Sequence, residues 1–176
     1  MSLPFFHISN LAAETGLIVL DEPTSKHVVQ VLRMQRGEPL QLTDGKGRLL
    51  TAVIDDDHRK RCVVTVKDEN FTAKSPTQKF IAISPLKNSS RFEWFLEKAV
   101  EFGIDDIIPV ICERTEKHHL RTVRLTQIMI SAMLQSQQVW LPEIWEPLSF
   151  VDFINKHCKE NPLNGFHKFI AHCAAD

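Results

Sequence analysis

Residues 91–114 read RFEWFLEKAVEFGIDDIIPVICER, and this stretch decides the fold. It joins an amphipathic helix through one glycine to a short apolar strand that ends in charged residues. Phe92, Phe95, Leu96, Ala99 and Val100 recur at helical spacing while Glu93, Glu97, Lys98 and Glu101 fill the other face, so one stripe is built to pack on a sheet. Gly103 stands just past the last periodic residue, where a left-handed backbone closes off the final carbonyls. Ile107, Ile108, Val110 and Ile111 then form a nearly unbroken apolar run, as expected of a parallel strand covered on both faces. In open parallel sheets ligands gather beyond the carboxyl ends of the strands, and Glu113 and Arg114 stand at that place.

Working outward, Phe80 to Ile83 reads as a buried strand before this helix, with Ser89-Ser90 as its cap. A second helix is expected over Thr122 to Gln137, with Val123, Ile128, Ile130 and Met133 as apolar positions. Pro142 stops it before a short strand at Glu143 to Trp145. Pro147 opens a third helix carrying Phe150, Val151 and Ile154, and Phe169 to Ala171 reads as one more strand. The order βαβαβαβ implies a parallel sheet with right-handed crossovers.

Residues 1–73 have a different pattern, that of a small β-barrel. Leu17 to Leu20 reads as a strand; Pro23 starts a helix striped by Val28, Val29, Val31 and Leu32, and Gly37 ends it. Leu40 and Leu42 alternate with polar residues, Asp44-Gly45-Lys46-Gly47 makes the turn, and Leu50, Ala52 and Ile54 alternate on the return, which is a β-hairpin. Cys62, Val64 and Val66 add a third strand. Asp68 to Gln78 is rich in turn formers, so the division falls there, giving domains of 1–73 and 74–176.

Composition narrows the function classes. The 176 residues are 43% hydrophobic and 24% charged, as in an ordinary globular protein, and the formal net charge of −1 gives no global pull toward nucleic acid. Cys62, Cys112, Cys158 and Cys173 lie far apart, and the start MSLPFFHISN does not read as a secretory leader, so a reduced, cytoplasmic setting is expected. No apolar run approaches the roughly 20 residues that span a bilayer.

The motifs resemble those of the RsmE family of ribosomal RNA uridine N3-methyltransferases. HVVQVLRMQRGEPLQLTDGKG, residues 27–47, is similar to the family's N-terminal run, in which a histidine precedes V-L-R and a later D-G turn. In residues 91–114, Lys98, Glu101, Gly103, Pro109, Glu113 and Arg114 occupy the positions of its second signature. Gln135-Ser136 and Leu141-Pro142-Glu143 fall where the family has a Q-C or Q-S pair and a V-P-E or L-P-E strand start. The resemblance implies a PUA-like RNA-binding β-barrel followed by a SPOUT-type α/β-knot methyltransferase domain, present here in its N-terminal portion. It further implies S-adenosylmethionine as cofactor, 16S rRNA or the small ribosomal subunit as partner, and a homodimer. The family's G-P-E-G-G loop and L-R-x-E-T-A segment, its cofactor motifs, do not occur in this sequence, and the resemblance spans about the first two-thirds of the family pattern. Leu3-Pro4 replaces an arginine common near the start, and Trp140 stands where a basic residue is common.

Each candidate residue also has a plainer reading. Arg33 and Arg36, beside His27, Lys46 and Arg48, would fix an RNA backbone, or are solvated charge on a barrel. Lys87 and Arg91 flank a strand-to-helix turn suited to a phosphate, or to an ordinary capped helix. Glu113 is the candidate general base for the uridine N3 proton and Arg114 a holder of phosphate or base carbonyl, unless the two form a surface salt bridge. Gln135 and Ser136 face the target base, or are helix-surface groups. His118-His119, near Lys117, Arg121 and Arg124, point apart on a helix and have no third ligand, so no metal is expected. They belong to a basic RNA-facing loop or simply to solvent. The reading is an S-adenosylmethionine-dependent methyltransferase acting on N3 of a uridine in 16S rRNA, lacking its cofactor-binding knot. The alternative is a non-catalytic RNA-binding module, and a small-molecule α/β enzyme would need a nucleophile or cofactor loop the sequence does not offer.

Overall fold

The computed structural model describes residues 3–9, 16–159 and 167–171. In the first half, β1 (Phe5–His7) and β2 (Leu17–Val19) are the two edges of a sheet whose middle is β3 (Pro39–Thr43), β4 (Arg48–Asp56) and β5 (Val63–Phe71). The order β1-β3-β4-β5-β2 leaves the sheet open, a half-barrel, with β1 parallel to β3 and all other neighbours antiparallel. The hairpin alternation holds: Leu40, Leu42, Leu50, Ala52 and Ile54 are at most 1% exposed. Each such large side chain stabilises the fold by roughly 1.5–3 kcal/mol.

The first helix departs from expectation. α1 (Glu22–Lys26) starts on Asp21, whose carboxylate accepts the Thr24 amide, and widens into a π-type turn over His27–Val31. It ends at Leu32, with Arg33 left-handed at φ 56°, well before Gly37. Of the expected stripe Val28 is buried, whereas Val31 and Leu32 are exposed; the wider turn rotates them off the core. Ser25 is buried but satisfied, donating to the Leu20 carbonyl and accepting the Cys62 amide at 2.9 Å. Burial pushes the Cys62 thiol up to about 11, helped by the Asp56 and Asp57 carboxylates. β5 continues to Phe71, so residues 68–71, expected as loop, pair with the start of β4.

In the second half, β6 (Phe80–Ile83), α2 (Ser89–Glu101), β7 (Asp106–Ile111), α3 (Thr122–Gln135), β8 (Glu143–Ile144), β9 (Leu148–Ser149) and α4 (Phe150–Ile154) follow in order. β6, β7, β8 and β9 are all parallel where they pair, with β7 in the centre. Phe92, Leu96, Ala99 and Val100 of α2 meet Leu125, Met129, Ala132 and Met133 of α3 over Ile107. That is the stripe expected of α2, but of the positions expected in α3 only Met133 is buried: Val123 is 81% exposed, and Ile128 and Ile130 are only half-buried.

Helix ends differ as well. Asn88, not Ser89 or Ser90, caps α2, its side chain accepting the Ser90 amide. At the other end Gly103 is left-handed, φ 65°, with Ile104 N–H donating to Ala99 and Gly103 N–H to Val100, the paired closure that glycine favours. α3 stops by the same bonds around Gln137, φ 55°, several residues before Pro142. Ser149, not Pro147, caps α4 by accepting the Asp152 amide. β6, expected to be buried, is a partly exposed edge strand; an apolar run looks the same at an edge as in the middle of a sheet. Phe169–Ala171 forms no strand: Phe169 and Ile170 are 93% and 87% exposed, and an apolar tripeptide needs a sheet partner to become one.

Pro109 shapes the sheet. Ile107 gives its carbonyl to the Trp145 amide, so in β7 the odd residues point their backbone groups toward β8 and β9. Pro109 therefore lacks a donor on that side, and the pairing breaks there, β8 ending at Ile144 and β9 resuming at Leu148.

The two halves meet at Trp140. Its indole N–H donates to the Thr72 carbonyl at 2.8 Å, Lys74 lies over its ring at 5.1 Å, and Gly47 N–H donates to the Val139 carbonyl. A methyl group on Gly47, φ 95°, would stand 2.5 Å from Trp140 Cζ2 and 2.7 Å from the Thr72 carbonyl oxygen. Gly37, φ 91°, faces open space. Gly37→Ala is expected to lower unfolding free energy by about 1–2 kcal/mol, the left-handed strain alone, and Gly47→Ala by clearly more. Urea unfolding of the two variants checks this; equal losses would mean that Trp140 moves aside freely.

Candidate active site at the carboxyl edge of the parallel sheet

β7 ends in a tight turn locked from two sides. Thr115 N–H donates to the Cys112 carbonyl at 3.0 Å, and Thr115 Oγ1 accepts the Cys112 amide at 2.8 Å. Glu113 and Arg114 are the central residues of this turn and both are exposed. Thr115 itself is buried, and its hydroxyl lies 2.6 Å from that of Ser84, just past β6. A buried hydroxyl left without a partner costs about 1–3 kcal/mol, so this bond pins the turn to the neighbouring strand. Among the described residues Glu113 and Arg114 have no hydrogen-bond or ion-pair partner, so the surface salt bridge between them does not form.

Two bridges tie the loop after β6 to the loop after β7. Lys87 pairs with Glu116 at 2.6 Å, and Lys117 Nζ donates to Ser89 Oγ at 2.9 Å. Lys87, expected at a phosphate, thus carries a carboxylate partner, though both side chains are largely exposed and the pair contributes little to stability. Arg91 is exposed on the first turn of α2, which carries no acidic residue. Glu113, Arg114, Lys87 and Arg91 are therefore gathered on one edge.

Gln135 and Ser136 are not part of this group. They sit at the far end of α3, about 22 Å from Arg121 at ~1.5 Å rise per residue. Ser136 Oγ donates back to the Ala132 carbonyl at 2.7 Å, and Gln135 is exposed. Arg33 and Arg36 lie in the turn before β3, whereas Lys46 and Arg48 lie beyond its other end, roughly 20 Å away at about 3.3 Å per residue. The expected basic face of the first domain is thus split, and Arg48 pairs with Glu69. His27 sets its ring edge-on to Phe6 at 5.6 Å.

Sequence reasoning missed Ser84 and Thr115, whose roles depend on a contact across 31 positions. It also missed the pairing of Arg124 with Glu93, Nε to Oε1 at 2.7 Å and Nη2 to Oε2 at 2.9 Å. That hydrogen bond holds the Glu93 carboxyl below its ordinary range. Among the described residues no three His, Cys, Asp or Glu side chains are grouped as metal ligands, and no helix is long and apolar enough to cross a membrane.

Residues 73–175 match the family model of the RNA methyltransferase domain, and residues 20–67 that of the RNA methyltransferase PUA domain. The chain is 29% identical over 134 residues to the ribosomal RNA small subunit methyltransferase E of Synechocystis sp., a match covering 74% of this chain and 43% of that protein. A probable rRNA-methyltransferase from Porphyromonas gingivalis has a similar structure, with a TM-score of 0.78 and 37% identity over 86% of this chain and 63% of that one. The ribosomal RNA small subunit methyltransferase E of Neisseria gonorrhoeae, solved bound to S-adenosyl methionine, has a TM-score of 0.78 and 26% identity, covering 90% of this chain and 67% of that one. The chain thus spans less than two-thirds of the Synechocystis and Porphyromonas proteins. With a PUA-like half-barrel ahead of a parallel sheet, and more than half its length matched by the domain, the chain belongs to the RNA methyltransferase family that includes the ribosomal RNA small subunit methyltransferases E.

Proposed function

We propose that this chain is the RNA-holding part, residues 1–73 and 74–176 forming its two domains, of an S-adenosylmethionine-dependent methyltransferase acting on N3 of a uridine in 16S rRNA. The observation that carries the reading is the match of both halves to RNA methyltransferase domains, in the order found here. Ribosomal RNA as substrate and the methyl donor are supported by the relatives, one of which is solved with S-adenosyl methionine; the N3 position of a uridine rests on the motif resemblance. The names of the relatives motivate a place beside the small ribosomal subunit, and the motif resemblance implies a homodimer.

Uridine N3 carries a proton in the neutral base, so transfer to it needs a group that accepts this proton or stabilises the anion left behind. Glu113 takes that role: it is a carboxylate without a partner, presented beyond a central strand by a turn that its neighbours fix. Arg114, on the same turn, holds a phosphate or a base carbonyl, and Arg91 adds positive charge beside them. Arg33 and Arg36 contact the RNA backbone from the first domain, while Gln135 and Ser136 stand too far from Glu113's edge to share its target base. Among the described residues no glycine stands in the turn directly after β6, β7 or β9. The PUA-like half-barrel, matched by the RNA methyltransferase PUA domain, also fits a second reading, a module that binds RNA without methylating it.

Incubation of the chain with a 16S rRNA fragment and labelled S-adenosylmethionine, followed by nucleoside digestion, separates these readings. RNA binding is the expected outcome; N3-methyluridine decides for the enzyme, binding without it for the module, and no binding rejects both. Calorimetry with S-adenosylmethionine alone should give a Kd weaker than about 1 mM, equivalent to roughly −4 kcal/mol; tight binding would place a cofactor site within these residues. Arg33→Ala with Arg36→Ala should weaken RNA affinity at low salt and reduce its salt dependence by about one unit per lost phosphate contact. Unchanged affinity would remove the first domain from the RNA surface.

A further inference from the structure

A cleft of about 450 Å³ opens between the first turns of α2 and α3, beside the turn that carries Glu113. Its polar lining includes Ser89, Ser90, Lys117, His119, Arg121 and Arg124, and its floor includes Phe92 and Leu125, which are 2% and 5% exposed. The one carboxylate in the lining is Glu93, and Arg124 engages it with two parallel hydrogen bonds. Counting Lys117, Arg121 and Arg124 as +3 and Glu93 as −1 gives a local charge of +2, in a chain whose formal net charge is −1. Positive charge is therefore concentrated here against the overall balance.

The arrangement leaves two cations in hand. Lys117 is steered by Ser89 Oγ toward the start of α2 and has no carboxylate partner among the described residues. Arg121, at the start of α3, makes no side-chain cap, and neither α2 nor α3 carries an acid in its first turn. The charges of Lys117 and Arg121 both reach Glu93, so the basic groups act on one space. Walls of this kind suit a dianionic or monoanionic oxygen cluster, while the apolar floor suits a sugar or base attached to it.

We infer that this cleft seats a backbone phosphodiester of the RNA strand, with Lys117 and Arg121 as its ligands and Arg124, braced by Glu93, as the wall behind them. The inference rests on the RNA-binding reading above and deepens it, by placing the second domain's grip on the strand next to Glu113.

Fluorescence anisotropy with a labelled single-stranded, uridine-containing oligoribonucleotide tests this across a salt series, with the 176-residue chain. Lys117→Glu and Arg121→Glu should each weaken binding about tenfold at low salt and lower the slope of log Kd against log salt by about one unit. Arg121→Gln, milder, should lower the slope likewise with a smaller loss, and circular dichroism should match the parent chain. Arg59→Glu, an equal charge change in the exposed β4–β5 turn, should change Kd less than twofold. The proposal is overturned if the cleft variants bind like the parent, or if Arg59→Glu is as damaging as they are. It is equally overturned if inorganic phosphate, at matched ionic strength, displaces the RNA at low millimolar concentration, which would mark a site for the free anion. A parent chain that binds no RNA rejects the functional reading and this inference together; a binding parent with unaffected cleft variants rejects this inference alone.

Discussion

The seat of Trp140 constrains the geometry of both halves, because an indole packed on a glycine and hydrogen-bonded to a carbonyl leaves no room for the hairpin turn of the first domain to slide. Gly47 lies under the ring, Thr72 accepts the indole N–H, and the Leu141 amide donates to the Gly45 carbonyl. The contact is therefore made of backbone as much as side chain. Backbone-to-backbone bonds have little rotational slack, so the half-barrel is fixed to the segment that follows α3. α3 also touches β1, which extends the contact along the helix.

At the opposite edge of the parallel sheet, exposure and rigidity are combined. Exposed charged residues on a free loop would sample many positions, whereas the turn holding Glu113 and Arg114 is closed by Thr115, and Thr115 is held by Ser84. The buried threonine supplies order and the exposed pair supplies charge. Pro109 acts in the same strand from the other side: by withholding a donor it interrupts β8 and β9, so the chain reaches α4 after a bend rather than a straight run.

Local patterns were legible in the sequence and long-range ones were not. The apolar stripe of α2, the glycine closure at Gly103 and the hairpin around Asp44 to Gly47 all followed from residues a few positions apart. The family motifs pointed correctly to the PUA-like and methyltransferase domains. Of α3 only Met133 was placed rightly, because its sequence offers apolar residues on more than one face, and only the packed partner α2 adds Leu125, Met129 and Ala132 to it. The exposed position of β6 could not be told from composition, since Phe80 to Ile83 would read alike in the middle of a sheet. Arg33 and Gln137 take left-handed backbones that their side chains do not advertise. At the site, the position of Glu113 and Arg114 past the end of β7 followed from the strand pattern, but the Arg124 to Glu93 clasp joins two helices 31 positions apart and leaves no local trace.

α3 has the latch to the half-barrel just past one end and Arg121 at the other. Each residue of an α-helix advances the direction of its side chain by about 100°. The bearing of Arg121 relative to the Trp140 seat is therefore a matter of phase: gaining or losing one residue in this helix would swing the arginine about a quarter-turn around the axis while moving it only ~1.5 Å along it. A helix in this position tolerates exchange of its exposed residues far better than any change in their number.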